Sequence, residues 1–270
     1  MEVRDVDDPN EIKKFMMIQE RVWGSEITPH HIIVAIKEVG GVVKGAYIGD
    51  NLVGFVYGFI GRYMGRYCIY SHQLAVLPEY QNLGIGRILK EEQRKWAIEN
   101  GYDLIIWTFD PARSKNAWLN INKLGTIAKV YLPNHYGEMD DDLNRGVPSD
   151  RFMTEWHIKS RWIRNRPRYR DISEIKDVEY ILKVYRKNDT VYPSINSAAE
   201  GRYMAVEIPP DFDSLGKNTR EAKIQWKLSL RKALTDLFRK GYTAIHFVKS
   251  GENYAYILKK RFDPNDSGTW

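Results

Sequence analysis

Between Leu74 and Arg87 the chain reads Leu-Ala-Val-Leu-Pro-Glu-Tyr-Gln-Asn-Leu-Gly-Ile-Gly-Arg, an apolar strand that passes through two closely spaced glycines into an amphipathic helix. Glycines at 84 and 86 let the backbone approach a ligand closely and take dihedral angles closed to other residues. The first amides of the helix lack intrahelical partners, and the helix dipole adds partial positive charge at the same point. An α/β arrangement with an anion cradle at the end of a strand follows from that order of elements. The spacing is not a Walker A loop, because no Gly-Lys-Ser/Thr follows. It is not the Rossmann fingerprint either, because Leu89 stands where the third glycine belongs.

The rest of the chain extends this unit. Residues 3–6 suit a first strand, and Asp8-Pro9-Asn10-Glu11 reads as a capped helix start. A one-sided stripe of Ile12, Phe15, Met16, Gln19 and Val22 carries that helix, and Thr28-Pro29 opens a second one that ends at Gly40-Gly41. Apolar runs at 42–48 and 52–60 flank Gly49-Asp50-Asn51, a hairpin signal, and a looser turn at 61–65 leads into the strand at 67–76. After the glycine loop, Ile85, Ile88, Leu89 and Trp96 share one side of a helix to Asn100, and residues 104–109 form the next strand. A last strand is expected at 152–158.

The loop, the preceding Leu-Ala-Val-x-Pro, the arginine after the second glycine and this element order resemble the Gln/Arg-x-x-Gly-x-Gly/Ala signature of the GNAT N-acetyltransferases. Asn116-Ala117 followed by Asn122-Lys123-Leu124-Gly125 is similar to that family's Asn-Ala-x-x-x-Tyr-x-x-x-Gly helix. Val22-Trp23-Gly24, Tyr131-Leu132-Pro133-Asn134-His135-Tyr136-Gly137 and Glu207-Ile208-Pro209 resemble a two-part "predicted acetyltransferase" branch of the same superfamily. The resemblance implies a mixed, mostly antiparallel central sheet flanked by helices, a core over residues 1–160, and acetyl-CoA as acyl donor with no metal. It also implies that Leu74, Ala75, Val76, Gln81, Asn82, Leu83, Gly84, Ile85, Gly86, Arg87 and Asn116 contact the donor. Asn116 reads equally as a helix cap.

Acyl transfer to an amine needs a base, donors for an oxyanion, and a proton for the departing thiolate. His72, three residues before Ala75, is the candidate base, expected on the face of the pleat that carries Leu74 and Val76; it also fits a histidine satisfied within the sheet. Backbone amides near 74–76 supply the oxyanion donors in the family. The family's tyrosine acid is replaced here by Ile121, five beyond Asn116, which leaves Tyr131, Tyr136 or solvent to give the proton. Trp23, His30 and His31 would border the acceptor pocket. Without a catalytic acid, the alternative is a non-catalytic acyl-CoA-binding regulator or scaffold.

The tail from 161 repeats the pattern: an apolar strand at 204–208 before Pro209, a helix carrying Trp226, Leu230, Ala233, Leu234, Leu237 and Phe238, then Gly241-Tyr242 and a strand at 243–248. It reads as a degenerate half-copy of the core. Asp211 and Asp213 stand where phosphates would have to sit, so no second donor site is expected.

A chain of 270 residues has ample core. Its 41 Lys+Arg exceed 35 Asp+Glu by only six, with one concentration of arginines and aromatics at 161–170. Such a run can bind RNA but more often forms a solvated linker or an ion-pair surface, so nucleic acid is not the expected partner. Acidic residues at 140–142 read as a surface turn. A single cysteine, Cys68, excludes an intramolecular disulfide and suits a reducing cytoplasm, and no apolar run is long enough for a membrane span. The expected partners are acetyl-CoA and an amine, with the chain a monomer or homodimer.

Overall fold

Asp8 accepts a hydrogen bond from the Asn10 amide at 2.8 Å, and Pro9 starts helix α1 (Pro9–Trp23), whose buried residues are Ile12, Phe15, Ile18 and Gln19. Helix α2 (His30–Glu38) begins directly after Pro29. The computed structural model in which these elements lie describes residues 1–24, 27–139, 146–188, 190–215 and 219–266. The acidic turn at 140–142 falls outside the described residues. Two units divide the chain, one holding residues 1–107 and the other residues 108–139 with 146 onward.

In the first unit, β1 (Glu2–Asp5), β2 (Val42–Ile48), β3 (Asn51–Tyr63) and β4 (Arg66–Val76) pair antiparallel in the order β1-β2-β3-β4. Strand β5 (Leu104–Phe109), which runs across the division at 107, pairs parallel with β4 at Ile69↔Ile105 and Tyr70↔Ile106. Its parallel direction follows from the crossover helix α3 (Ile85–Glu99) between the two strands. One face of this sheet packs Val43, Phe55, Tyr57, Ala75 and Leu77 against Ile12, Phe15, Ile18 and Ile33 of α1 and α2. The other packs Ala46, Val53, Val56 and Val76 against Ile85 and Leu89 of α3. Burial on both faces explains why β3 is a nearly unbroken apolar run rather than an alternating one.

The second unit contains α4 (Ser114–Ala117), continued as a π-helix over Trp118–Leu124, then β6 (Ile127–Leu132), β7 (Arg151–His157), α5 (Arg161–Asn165), β8 (Val178–Lys187), β9 (Thr190–Ile195), β10 (Tyr203–Ile208), α6 (Thr219–Arg239), β11 (Tyr242–Ser250) and β12 (Asn253–Lys260). Its strands are ordered β7-β6-β11-β12-β10-β8-β9, and the β10–β8 pair is parallel. One core joins Ile121, Tyr131 and Phe152 to Trp226, Leu230, Leu234 and Leu237 of α6 and to Tyr256 and Leu258 of β12.

The strand-helix-strand order expected in the tail is present as β10-α6-β11, with a difference of neighbours. Whereas β4 and β5 pair directly, β12 lies between β10 and β11 and pairs with both. A two-residue link, Gly251-Glu252, turns the chain back after Ser250, and the short hairpin fills the gap that a crossover alone would leave. Compactness parts the chain after residue 107, and β6 pairs with β7 on one edge and with β11 on the other.

Candidate active site

The glycine loop begins where β4 ends. A single 3-10 turn over Pro78–Tyr80 follows Leu77, and the Gln81 side-chain amide reaches back to donate to the Val76 carbonyl at 3.1 Å. Gln81 therefore sets the loop's shape through its side chain. Asn82 and Gly84 take positive φ, +64° and +83°, which swings the chain round to start α3. Gly84 is the N-cap and has no side chain to satisfy the helix's first amides. The first turn carries no acidic residue, and the Arg87 and Ile88 amides turn inward to the Gly84 carbonyl. Contrast the start of α1, where Asp8 caps the amides and Glu11 follows. The Cβ direction of Gly84 meets no atom within 4 Å, so an anion can approach the Gly84, Ile85 and Gly86 amides from open space.

Upstream, β4 carries a β-bulge. Gly58 pairs with Ser71 and Tyr57 with Gln73, which leaves His72 as the extra residue. The bulge corrects the expected facing of His72: its ring lies among Tyr57, Phe59 and Tyr70, at centroid distances of 5.6, 5.9 and 6.3 Å, on the side of the sheet covered by α1 and α2. Leu74 and Val76 point to the α3 side. One inserted residue moves every later side chain to the opposite face. His72 is open to solvent on one flank, and desolvation by its aromatic wall lowers its pKa below the ordinary value, so the ring is neutral at pH 7. Trp23 packs at the rim of the same α1–α2 core, while His30 and His31 meet edge to face.

Beyond the bulge, the Leu77 amide donates to the Val53 carbonyl of β3 at 2.9 Å. Strand alternation then directs the Ala75 amide toward β3 as well, and the Leu74 and Val76 amides toward the opposite edge. On that edge the pairs with β5 are Ile69↔Ile105 and Tyr70↔Ile106, before the bulge.

Behind the bulge lies a residue that the helical stripe misassigned. Ile88 is exposed, and the buried residues of α3 are Ile85, Leu89, Lys90, Gln93 and Ala97. Lys90, 4% exposed, donates to the Ser71 hydroxyl at 2.6 Å and stands 3.6 Å over the Trp107 ring. Gln93 Oε1 lies 3.3 Å from it, and no carboxylate among the described residues pairs with it. Burial drives its pKa far below the ordinary lysine range. A lysine one residue after Leu89 reads as a solvated neighbour of the stripe; only the stripe's position 90-93-97 gives it away.

The remaining candidates belong to the second unit. Ile121 is 1% exposed and packs in the core, so no acid stands at the tyrosine position. Tyr131 donates to Asp150 at 2.7 Å, and Asp150 is clasped by Arg231 through contacts of 2.7 and 3.1 Å. Burial and the adjacent carboxylate push the Tyr131 pKa well up, and its proton is committed to the core. Tyr136 differs: it is exposed, its hydroxyl is 2.7 Å from Thr108 Oγ1 on β5, and Arg151 lies 5.3 Å from its ring. Asn116 is exposed within α4, whose N-cap is Arg113, so it does not cap that helix.

Residues 12–125 match the family model described as acetyltransferase (GNAT) family. No curated protein matches the chain. Solved structures that resemble it include Naa50 of Arabidopsis thaliana in complex with the bisubstrate analogue CoA-Ac-MVNAL, 18% identical at a TM-score of 0.46, covering 57% of this chain and 96% of that one. The ribosomal-protein-S18-alanine N-acetyltransferase of Escherichia coli is 14% identical at 0.47, over 58% and 93%. The yncA protein of Salmonella typhimurium, solved with its cofactor acetyl-CoA, is 17% identical at 0.49, over 59% and 94%. Residues 12–125, which hold the glycine loop, the bulged strand and the crossover helix, form a GNAT acetyltransferase domain.

Proposed function

We propose that the protein transfers the acetyl group of acetyl-CoA directly to an amine of a small molecule or peptide. The observation that carries this reading is the conjunction, within one strand and its loop, of a bulge at His72 and an uncapped glycine helix start with no acid in its first turn. In this reading the loop at 82–87 holds the pyrophosphate through the amides of Gly84, Ile85 and Gly86, the Arg87 amide being bonded inward, and the outward amides of Leu74 and Val76 bond the pantetheine arm and the developing oxyanion. Neutral His72, directly or through a water, takes the proton from the ammonium form of the acceptor. The amine nitrogen then attacks the thioester carbon, the C–S bond breaks as the tetrahedral intermediate collapses, the CoA thiolate leaves, and the extra proton remaining on nitrogen passes to solvent to give the neutral amide. Of the two tyrosines proposed as proton donor to that thiolate, Tyr136 is exposed with its hydroxyl beside that of Thr108, whereas the proton of Tyr131 is held by Asp150. Residues 161–270 we assign as a degenerate half-copy that shapes the second unit and binds no donor.

A non-catalytic acyl-CoA-binding protein is the second reading, favoured by the core packing of Ile121. Incubation with acetyl-CoA and a panel of amines, followed by detection of free thiol, separates the two. Saturable thiol release that depends on an amine supports transfer; binding of acetyl-CoA without release across the panel supports the regulator.

A further inference from the structure

The arginine-aromatic run at 161–170 does not enter the acyl-transfer site, and one of its aromatics lines a pocket of its own. In the second unit a cavity of about 340 Å³ is bounded by Tyr169, Tyr203, His246, Arg202, Lys176 and Glu174, with Asp177 at its edge. His246 is 5% exposed and is packed between Trp162 and Tyr169, at ring distances of 5.2 and 5.0 Å. Among the described residues nothing hydrogen-bonds either ring nitrogen, although the side chain lines the cavity. A ring nitrogen that faces a cavity without a protein partner is met there by water or by a ligand.

The surroundings select what could meet it. Burial, Arg166 and Lys259 keep the ring neutral at any physiological pH. It then offers one N–H donor and one lone-pair acceptor in a single plane, the pattern that complements the edge of a heterocycle. Two tyrosines flank the opening, and tyrosine faces stack on planar rings. Lys176 and Arg202 supply positive charge at the mouth. Of the acids, Glu174 turns its Oε1 to the Arg170 and Asp171 amides, both at 2.8 Å, as part of a capping box, so that carboxylate oxygen serves the backbone.

We propose that this pocket is a second ligand site, binding a small anion built on a planar, hydrogen-bonding ring, the chemistry of a purine mononucleotide. His246 reads the ring edge, Tyr169 and Tyr203 flank its faces, and Arg202 with Lys176 neutralises the phosphate. This assignment does not depend on acyl transfer.

The test is a titration of the full-length protein, labelled at histidine, with AMP and GMP, followed by NMR of the imidazole nitrogens. The His246 resonances should shift saturably, and adenosine alone or inorganic phosphate alone should bind at least about tenfold more weakly, since each lacks one half of the recognition. Arg202→Gln, a surface change that leaves the fold intact, should weaken AMP about tenfold, and calorimetry on His246→Phe should show AMP binding lost. No saturable response up to millimolar nucleotide would overturn the proposal and assign His246 to a bound water. Loss of AMP binding in Gly84→Val would overturn it as well, by moving the nucleotide to the glycine loop. So would tight binding of single-stranded RNA oligomers with no response to mononucleotides, which would make the face a nucleic-acid surface.

Discussion

His72, Lys90 and His246 are all desolvated, and each has a different consequence. If His72 is the base, its lowered pKa keeps it neutral and competent to somewhat below pH 6.5, so the acid limb of kcat should fall below that value. His72→Ala should lower the rate by roughly 10²–10⁴ with little change in acetyl-CoA affinity, and a variant that keeps the wild-type pH profile would assign the proton to water. For Lys90 the folded-state pKa is depressed, so the unfolded chain binds more protons below the unperturbed value of about 10.4, and folding stability rises with pH across the neutral range. Lys90→Met keeps the volume and removes that titration. Chemical denaturation should therefore show wild-type stability increasing from pH 7 to 9.5 and the methionine variant rising less steeply, Lys227 still contributing with the same sign, whereas Lys90→Ala should cost about 2–4 kcal/mol through the cavity it leaves. His246 has the same sign at the acid end. Its pKa of about 3 in the folded state, against about 6.5 unfolded, makes stability fall as pH drops below 6.5, by about 2 kcal/mol at pH 5. His246→Phe should remove most of that acid sensitivity in a urea titration at pH 5 and pH 7.

At the scale of elements, a strand with one extra residue and a helix with no cap do the work. The bulge aims His72 one way and the amides of Leu74 and Val76 along the opened edge, while Gly84 leaves the start of α3 bare. Gly84→Val adds branched carbons in the open space before that helix and should abolish the thermal stabilisation by acetyl-CoA, which for the wild type at a hundredfold excess over Kd is about 2.7 kcal/mol. Valine at a φ of +83° also strains the backbone. Gly241→Val is the matched control: it has a φ of +81° and equally open space, lies far from the loop in sequence, and should lower Tm while preserving the acetyl-CoA shift. The connection before α6 has the opposite character. Phe212 and Leu215 are buried in the core, and Asp213 is held by Lys223 at 2.7 Å and by Arg113. With β12 filling the place between β10 and β11, β10 has no opened edge facing β11, and calorimetry should return one acetyl-CoA per chain.

At the scale of the whole molecule, the second unit draws on both sides of residue 160. Tyr131 and Phe152 share one core with Leu234 and Tyr256, and Arg231 holds Asp150. Removing residues 161–270 should expose that apolar surface and strand the buried Asp150, leaving residues 1–160 insoluble or only partly folded in circular dichroism and urea titration. A stable, fully active fragment would show the tail to be an appendage. What the sequence alone determined was local: the glycine loop, the caps at Asp8 and Pro29, the hairpin at 49–51 and the amphipathic helices, because turn chemistry and hydrophobic period act over a few residues. Tertiary structure decided the rest. A bulge changes no residue type and is invisible until two strands are laid side by side, so the facing of His72 depended on where Tyr57 and Gly58 pair. Whether a tyrosine can give up its proton depended on Asp150, nineteen residues away, and on Arg231, a hundred away. The place of β12 between β10 and β11 followed from hydrogen bonds between strands far apart in the chain, which no period within a strand encodes.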